Sequence, residues 1–205
     1  MIKNVVFDIG MVLIDFSWRE CMRDCGIKEE DVMRVAQATV LSPYWNELDR
    51  GLLSEDEIVK NFVSLAPDLE DEIKRFFSIV TVSMPPFDYS EGWLRSVKER
   101  GYGVYILSNF SNHNFNVNLP RYTFLKHADG MIISYRYKTV KPERKIYECL
   151  LSEYGLDPEE CVFIDDREDN IAAAKELGFS GIVFKSFEDA SKKLDALLSE
   201  HGVCG

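Results

Sequence analysis

The 205-residue chain has no uninterrupted apolar run of about 18 residues or more, which excludes a membrane-spanning helix. It is also poor in positive charge: 24 Lys and Arg stand against 35 Asp and Glu, a net charge of −11. Nucleic acid is therefore not an expected partner, because its phosphates need a basic footprint. An anionic substrate would be repelled as well, unless a metal ion or a well-placed lysine drew it in locally. The five cysteines (Cys21, Cys25, Cys149, Cys161 and Cys204) are odd in number and scattered. Cys21 and Cys25 could share a helix face, but no second pair completes a metal set. They read as reduced, structural thiols, in keeping with a cytosolic setting. The three histidines, His113, His127 and His201, form no pattern and read as structural or exposed. A signal peptide is not expected: Asp8 breaks the first apolar run, a single Lys precedes it, and no small-residue cleavage site follows. Repeats and low-complexity segments are absent, and nothing fixes an oligomeric state.

What is present is an ordinary apolar content of 46%, enough for a real core. Lys3 to Phe7 reads as a short strand. From about Ser17 to Pro85 the periodicity is helical, with no convincing strand. The clearest helix is "SEDEIVKNFVSLAP", where Ser54 and Glu57 form a capping box and Leu53 can staple against Ile58. Pro85-Pro86 closes this region, and strands then alternate with helices. "YGVYILSN", "GMIISYRY", "CVFIDD" and "GIVF" read as strands. "DYSEGWLRSVKERG", "PERKIYECLLSEYG", "EDNIAAAKELG" and "FEDASKKLDALLSEHG" read as helices, with Pro142 in a first turn and Gly155 as a stop. Such alternation implies an α/β fold with a mostly parallel sheet covered on both faces. An insertion of roughly 70 helical residues is too long for a loop. It predicts a small helical cap over residues 16–85, with a core of 1–15 and 86–205.

Ligands bind beyond the carboxyl ends of the strands in such sheets. Asp8 follows the first strand, Ser108-Asn109 the second, and Asp165-Asp166 another, with Asp169 and Asn170 close behind. Lys141 precedes the Pro142 helix. Singly, each cluster has an ordinary reading as a turn, a cap or a boundary. Together they define a chemistry. Clustered carboxylates require a cation, and oxygen-only ligands favour Mg²⁺. Mg²⁺ with Lys141 and the Ser108 hydroxyl makes a phosphate site, at which an aspartate can attack phosphorus.

These stretches resemble the motifs of the haloacid dehalogenase-like (HAD) hydrolases, the superfamily of aspartate-nucleophile phosphatases. "FDIGMVLIDF" is similar to the first motif, "VYILSN" to the second, "VKPERKIY" to the third and "VFIDDREDNIAAAKELG" to the fourth, in the expected order along the whole chain. The resemblance implies a Rossmann-like core with a helical cap and a Mg²⁺-dependent phosphatase. It implies Asp8 as nucleophile and metal ligand, and Gly10 as donor of a main-chain carbonyl to the metal. Ser108 and Asn109 would hold the phosphoryl group, and Lys141 would neutralise it. Asp166 would be the direct fourth-motif ligand, supported by Asp165 and Asn170.

One position departs from the pattern. Most phosphatases of this family carry an Asp two residues after the nucleophile as general acid and base, and here Gly10 stands there. Its loss should cost roughly 10²–10⁴ in rate unless something replaces it. Two readings follow. The substrate is a small phosphorylated metabolite whose leaving group needs little help, such as a hexose 1-phosphate, as in the glucose-1-phosphate phosphatase-like branch of the family. Alternatively the chain is a catalytically weakened binding protein. A cap carboxylate, Glu47 or Asp49, is a candidate replacement for the acid. A 2-haloacid dehalogenase is disfavoured, because a second acidic cluster would be repulsive in a metal-free site. A phosphoacceptor signalling domain is disfavoured by motif order. Phe16, Trp18, Tyr44 and Trp45 lie in or beside the cap, where they could stack on a sugar ring or fill a core.

Overall fold

Strand residues alternate between two apolar layers, and this alternation positions the site. Val5 and Phe7, Val104 and Ile106, and Val162 and Ile164 join one core cluster, whereas Val6, Leu107 and Phe163 join the other. The computed structural model describes residues 1–199, so His201 and Cys204 lie outside the described residues. Its sheet comprises β1 (Asn4–Phe7), β2 (Gly103–Ser108), β3 (Gly130–Ile133), β4 (Cys161–Asp165) and β5 (Ser180–Val183). The order is β3-β2-β1-β4-β5 and every pairing is parallel, as the α/β alternation predicts.

Between β1 and β2 come helices α1 (Trp18–Asp24), α2 (Glu29–Ala38), α3 (Pro43–Arg50), α4 (Glu55–Leu65) and α5 (Glu70–Val80), followed by α6 (Ser90–Glu99). The Ser54–Glu57 capping box is formed in both directions. Ile58, Phe62, Ile73 and Phe76 of this insert join the same cluster as the Phe7 face of the sheet. The remaining helices are α7 (Asn112–Asn118), α8 (Ser134–Tyr137), α9 (Arg144–Tyr154), α10 (Glu168–Glu176) and α11 (Phe187–Ser199). Of the described cysteines, Cys21, Cys25, Cys149 and Cys161 are free thiols. Burial raises the Cys21 and Cys161 thiols to about 11, so both stay protonated and inert. No helix among the described residues is long and apolar enough to cross a membrane.

Three local expectations differ. Only "GMII" of "GMIISYRY" is strand, and "SYRY" turns into α8. Ser134 is buried there, with its hydroxyl donating to the Asp49 carbonyl (2.6 Å) and accepting from the Phe110 N–H (3.0 Å), which pulls the chain out of the sheet. Pro142 is not in a first helical turn: α9 starts at Arg144 with Glu143 as its N-cap, and the Lys141–Pro142 peptide is cis. Helix α7, rich in poor helix formers, was not expected. It is held by the Ser111 cap and by Asn118, which donates to the Thr81 carbonyl at 2.6 Å.

Candidate active site

The sheet register brings the scattered clusters to one level. Phe7 pairs with Ile106 on one side and Ile164 on the other, so Asp8, Leu107 and Asp165 follow side by side. The Asp8 N–H extends the ladder by donating to the Ile164 carbonyl (2.9 Å), and its Oδ1 accepts from the Ile9 N–H (2.7 Å). Lys141 is buried and spans all three strands. Its Nζ donates to Asp8 Oδ1 (2.8 Å), to Asp165 Oδ2 (2.6 Å) and to the Leu107 carbonyl (3.0 Å), which uses its three donors.

Asp165 is fully buried and saturated. Oδ1 accepts from the Arg167 N–H (2.8 Å) and Asn170 Nδ2 (2.9 Å), and Oδ2 accepts from Lys141 and again from Asn170 Nδ2 (3.0 Å). Asp166 lies nearer solvent. Asp8, Asp165 and Asp166 each offer an oxygen within 4.8 Å of one another. Burial and the adjoining carboxylates raise the Asp8 carboxyl above the ordinary range, with Lys141 pulling the other way. Asp166 is raised by burial and by Asp165. Lys141 is raised, because Asp165 and Asp8 outweigh its burial. Three carboxylates against one lysine leave excess negative charge in a buried place. Two buried polar atoms here, Ser108 Oγ and Asn170 Oδ1, have no partner. The all-oxygen donor set and the charge excess both fit a hard divalent cation.

The Asn109 side chain bonds the Lys141 main chain, with Nδ2 donating to the carbonyl (3.0 Å) and Oδ1 accepting from the N–H (2.8 Å). It thus fixes the segment that delivers Lys141. Gly10 borders the cluster, and a Cβ added there would meet nothing within 4 Å.

Beside Gly10 lies a cavity with about 60 Å³ of space open to water. Ile14, Phe16, Trp45, Met84 and Phe110 form its apolar wall, and Asp49, Asn109 and Asn114 its polar part. Phe16 and Trp45 thus reach the cavity, whereas Trp18 lies in a separate groove beside Asp166. Phe110 and Met84 carried no signal in the sequence, because an apolar residue after a strand reads as core. Asp49 is 7% exposed, and burial raises its carboxyl to about 8, with Asp8 adding to the rise. Glu47 pairs with Arg50 at 3.2 Å and does not line the cavity.

Residues 2–178 match the family described as haloacid dehalogenase-like hydrolase, and the chain belongs to that family. It is 28% identical to D-ribitol-5-phosphate phosphatase of Bacteroides thetaiotaomicron, an alignment covering 97% of this chain and all of the relative. It is 26% identical to a sesquiterpene phosphatase of Aspergillus oryzae, with 88% of each chain covered. Among solved structures it resembles a HAD family enzyme of Bacteroides thetaiotaomicron in complex with magnesium and inorganic phosphate. That match has a TM-score of 0.74 and 26% identity, and covers 94% of this chain and 99% of the other.

Proposed function

We propose that the protein is a Mg²⁺-dependent phosphatase acting on a small phosphorylated metabolite through an aspartyl phosphate on Asp8. The observation that carries this reading is Asp8 at a strand end, sharing the buried Lys141 with Asp165 beside the unpartnered Ser108 hydroxyl. Asp8, Asp166 and the Gly10 main-chain carbonyl would hold Mg²⁺. The saturated Asp165 supports this division, since it orients Lys141 and Asn170 and has no free lone pair to offer. When bound, the cation neutralises phosphoryl oxygens and the carboxylate excess.

The chain's own residues supply the rest. Asp8 attacks phosphorus from a strand end that leaves little freedom to lose, and the ester oxygen departs. Ser108 donates a hydrogen bond to a phosphoryl oxygen, and Lys141 contributes its charge. Residues 16–85 act as a cap over a core of 1–15 and 86–205, with α3 closing the cavity. We favour a sugar or polyol phosphate as substrate. The phosphatase relative named for D-ribitol 5-phosphate supports this, and Trp45 and Phe16 offer ring faces to a sugar. The mainly apolar wall also supports a second reading, the phosphate of an apolar alcohol.

The test is phosphate release from sugar phosphates, a prenyl-type phosphate and an aryl phosphate, with Mg²⁺ and with chelator, alongside Asp8→Asn. Mg²⁺-dependent turnover abolished by Asp8→Asn is expected, with sugar phosphates preferred. Preference for the prenyl ester would select the second reading. Phosphate binding without turnover would mean a binding protein.

A further inference from the structure

The family's usual acid is missing at Gly10, yet a buried acid looks onto the same cavity from the helical insert. We propose that Asp49, from the last turn of α3, protonates the leaving oxygen while the phosphoryl group passes to Asp8. The inference rests on the function proposed above.

Among the residues lining the cavity, which include Gly10 and Asn109, Asp49 is the one with a titratable side chain. It is held in place from several directions. Its carbonyl accepts from Ser134 Oγ at 2.6 Å, and the next residue, Arg50, is anchored to Glu143 by two bonds of 2.9 and 2.6 Å. Gly51 then ends the helix in the left-handed conformation, φ +70°.

The groups facing Asp49 are Asp8 at the end of β1, Lys141 before α9, and the Ser111 main-chain amide before α7. Lys141 is shared between Asp8 and Asp165, and its pull on Asp49 is outweighed by burial and the Asp8 charge. Burial, with the Asp8 charge adding to it, raises the Asp49 carboxyl and so favours its protonated form.

The step balances. An Asp8 oxygen forms a bond to phosphorus and the ester P–O bond breaks, its electron pair going to the leaving oxygen. That oxygen takes the Asp49 proton, giving the alcohol and an Asp49 carboxylate. Water then attacks phosphorus and Asp8 leaves as carboxylate. The water's proton passes to Asp49, which restores the acid.

The experiment measures kcat/KM with Mg²⁺ for a simple alkyl phosphate and for nitrophenyl phosphate, in the wild type, Asp49→Asn and Asp8→Asn. This ratio reports the steps through the first departure of the leaving group. Asp49→Asn should lose roughly 10²–10⁴ on the alkyl ester. The loss should shrink strongly on the nitrophenyl ester, whose alcohol departs without a proton. An equal loss on both esters, or none on the alkyl ester, overturns the proposal. Turnover surviving in Asp8→Asn overturns the underlying function instead.

Discussion

At the scale of the residue, Ser108 is the most telling side chain. It is 1% exposed and its hydroxyl has no partner, an arrangement that costs free energy unless a ligand repays it. Ser108→Ala should therefore fold at least as stably as the wild type, with a gain of up to about 1–3 kcal/mol. Its phosphatase activity should drop. Urea unfolding beside kcat/KM checks both halves, and a fall in both would mean that the hydroxyl serves the fold. Gly10 gives a complementary prediction, because the space around its Cβ is open. Gly10→Asp should be accommodated without loss of fold. Placed in Asp49→Asn, it should restore part of the activity on alkyl esters, read as kcat/KM of the double variant against the single.

At the scale of elements, helix α3 is tied to the segment that carries Lys141. Arg50 grips Glu143, the N-cap of α9, and Thr139 Oγ1 donates to the same carboxylate at 2.7 Å. The Arg50 guanidinium holds the Glu143 carboxyl down at about 2. A depressed carboxylate adds stability above its unfolded value of 4.5, and that contribution is lost as pH falls towards 2. Glu143 is half exposed, so Glu143→Gln should cost no more than about 1 kcal/mol near neutrality. The difference from wild type should vanish towards about pH 2, which urea unfolding at several pH values measures.

Some elements were readable from local rules. Helix α4 announces itself by Ser54 and Glu57, and β1 and β4 by apolar runs that stop at aspartates. Helix α7 was not, because "NHNFNVN" has no helical propensity to read and is held by bonds to Thr81, more than thirty residues away in sequence. Helix α8 depends likewise on Ser134 reaching Asp49.

At the scale of the whole molecule, a chain of charge −11 gathers three carboxylates round one buried lysine. Such a cluster is a destabilising feature until a cation joins it. Mg²⁺ should raise the melting temperature, by an amount equivalent to about 2.7 kcal/mol at a hundredfold excess over its Kd. Asp166→Asn should lose most of that gain in a thermal melt run with and without chelator. The positions Asp8, Ser108, Lys141 and Asp165-Asp166 were legible because parallel strands bring their carboxyl ends together. Less legible was what the partners of each group would be. Nothing local says that Asn109 bonds the Lys141 main chain, that Asp165 is saturated, or that Asp49 rather than Glu47 lines the cavity. Those facts arise from contacts between segments far apart in sequence. The central claim is that Asp8 carries the phosphoryl group, and trapping it is the most direct test. Rapid acid quench during Mg²⁺-dependent turnover, followed by peptide mass spectrometry, should find phosphate on the peptide bearing Asp8 and none in Asp8→Asn. Undiminished turnover in Asp8→Asn, or a phosphoryl group on another residue, would contradict the account.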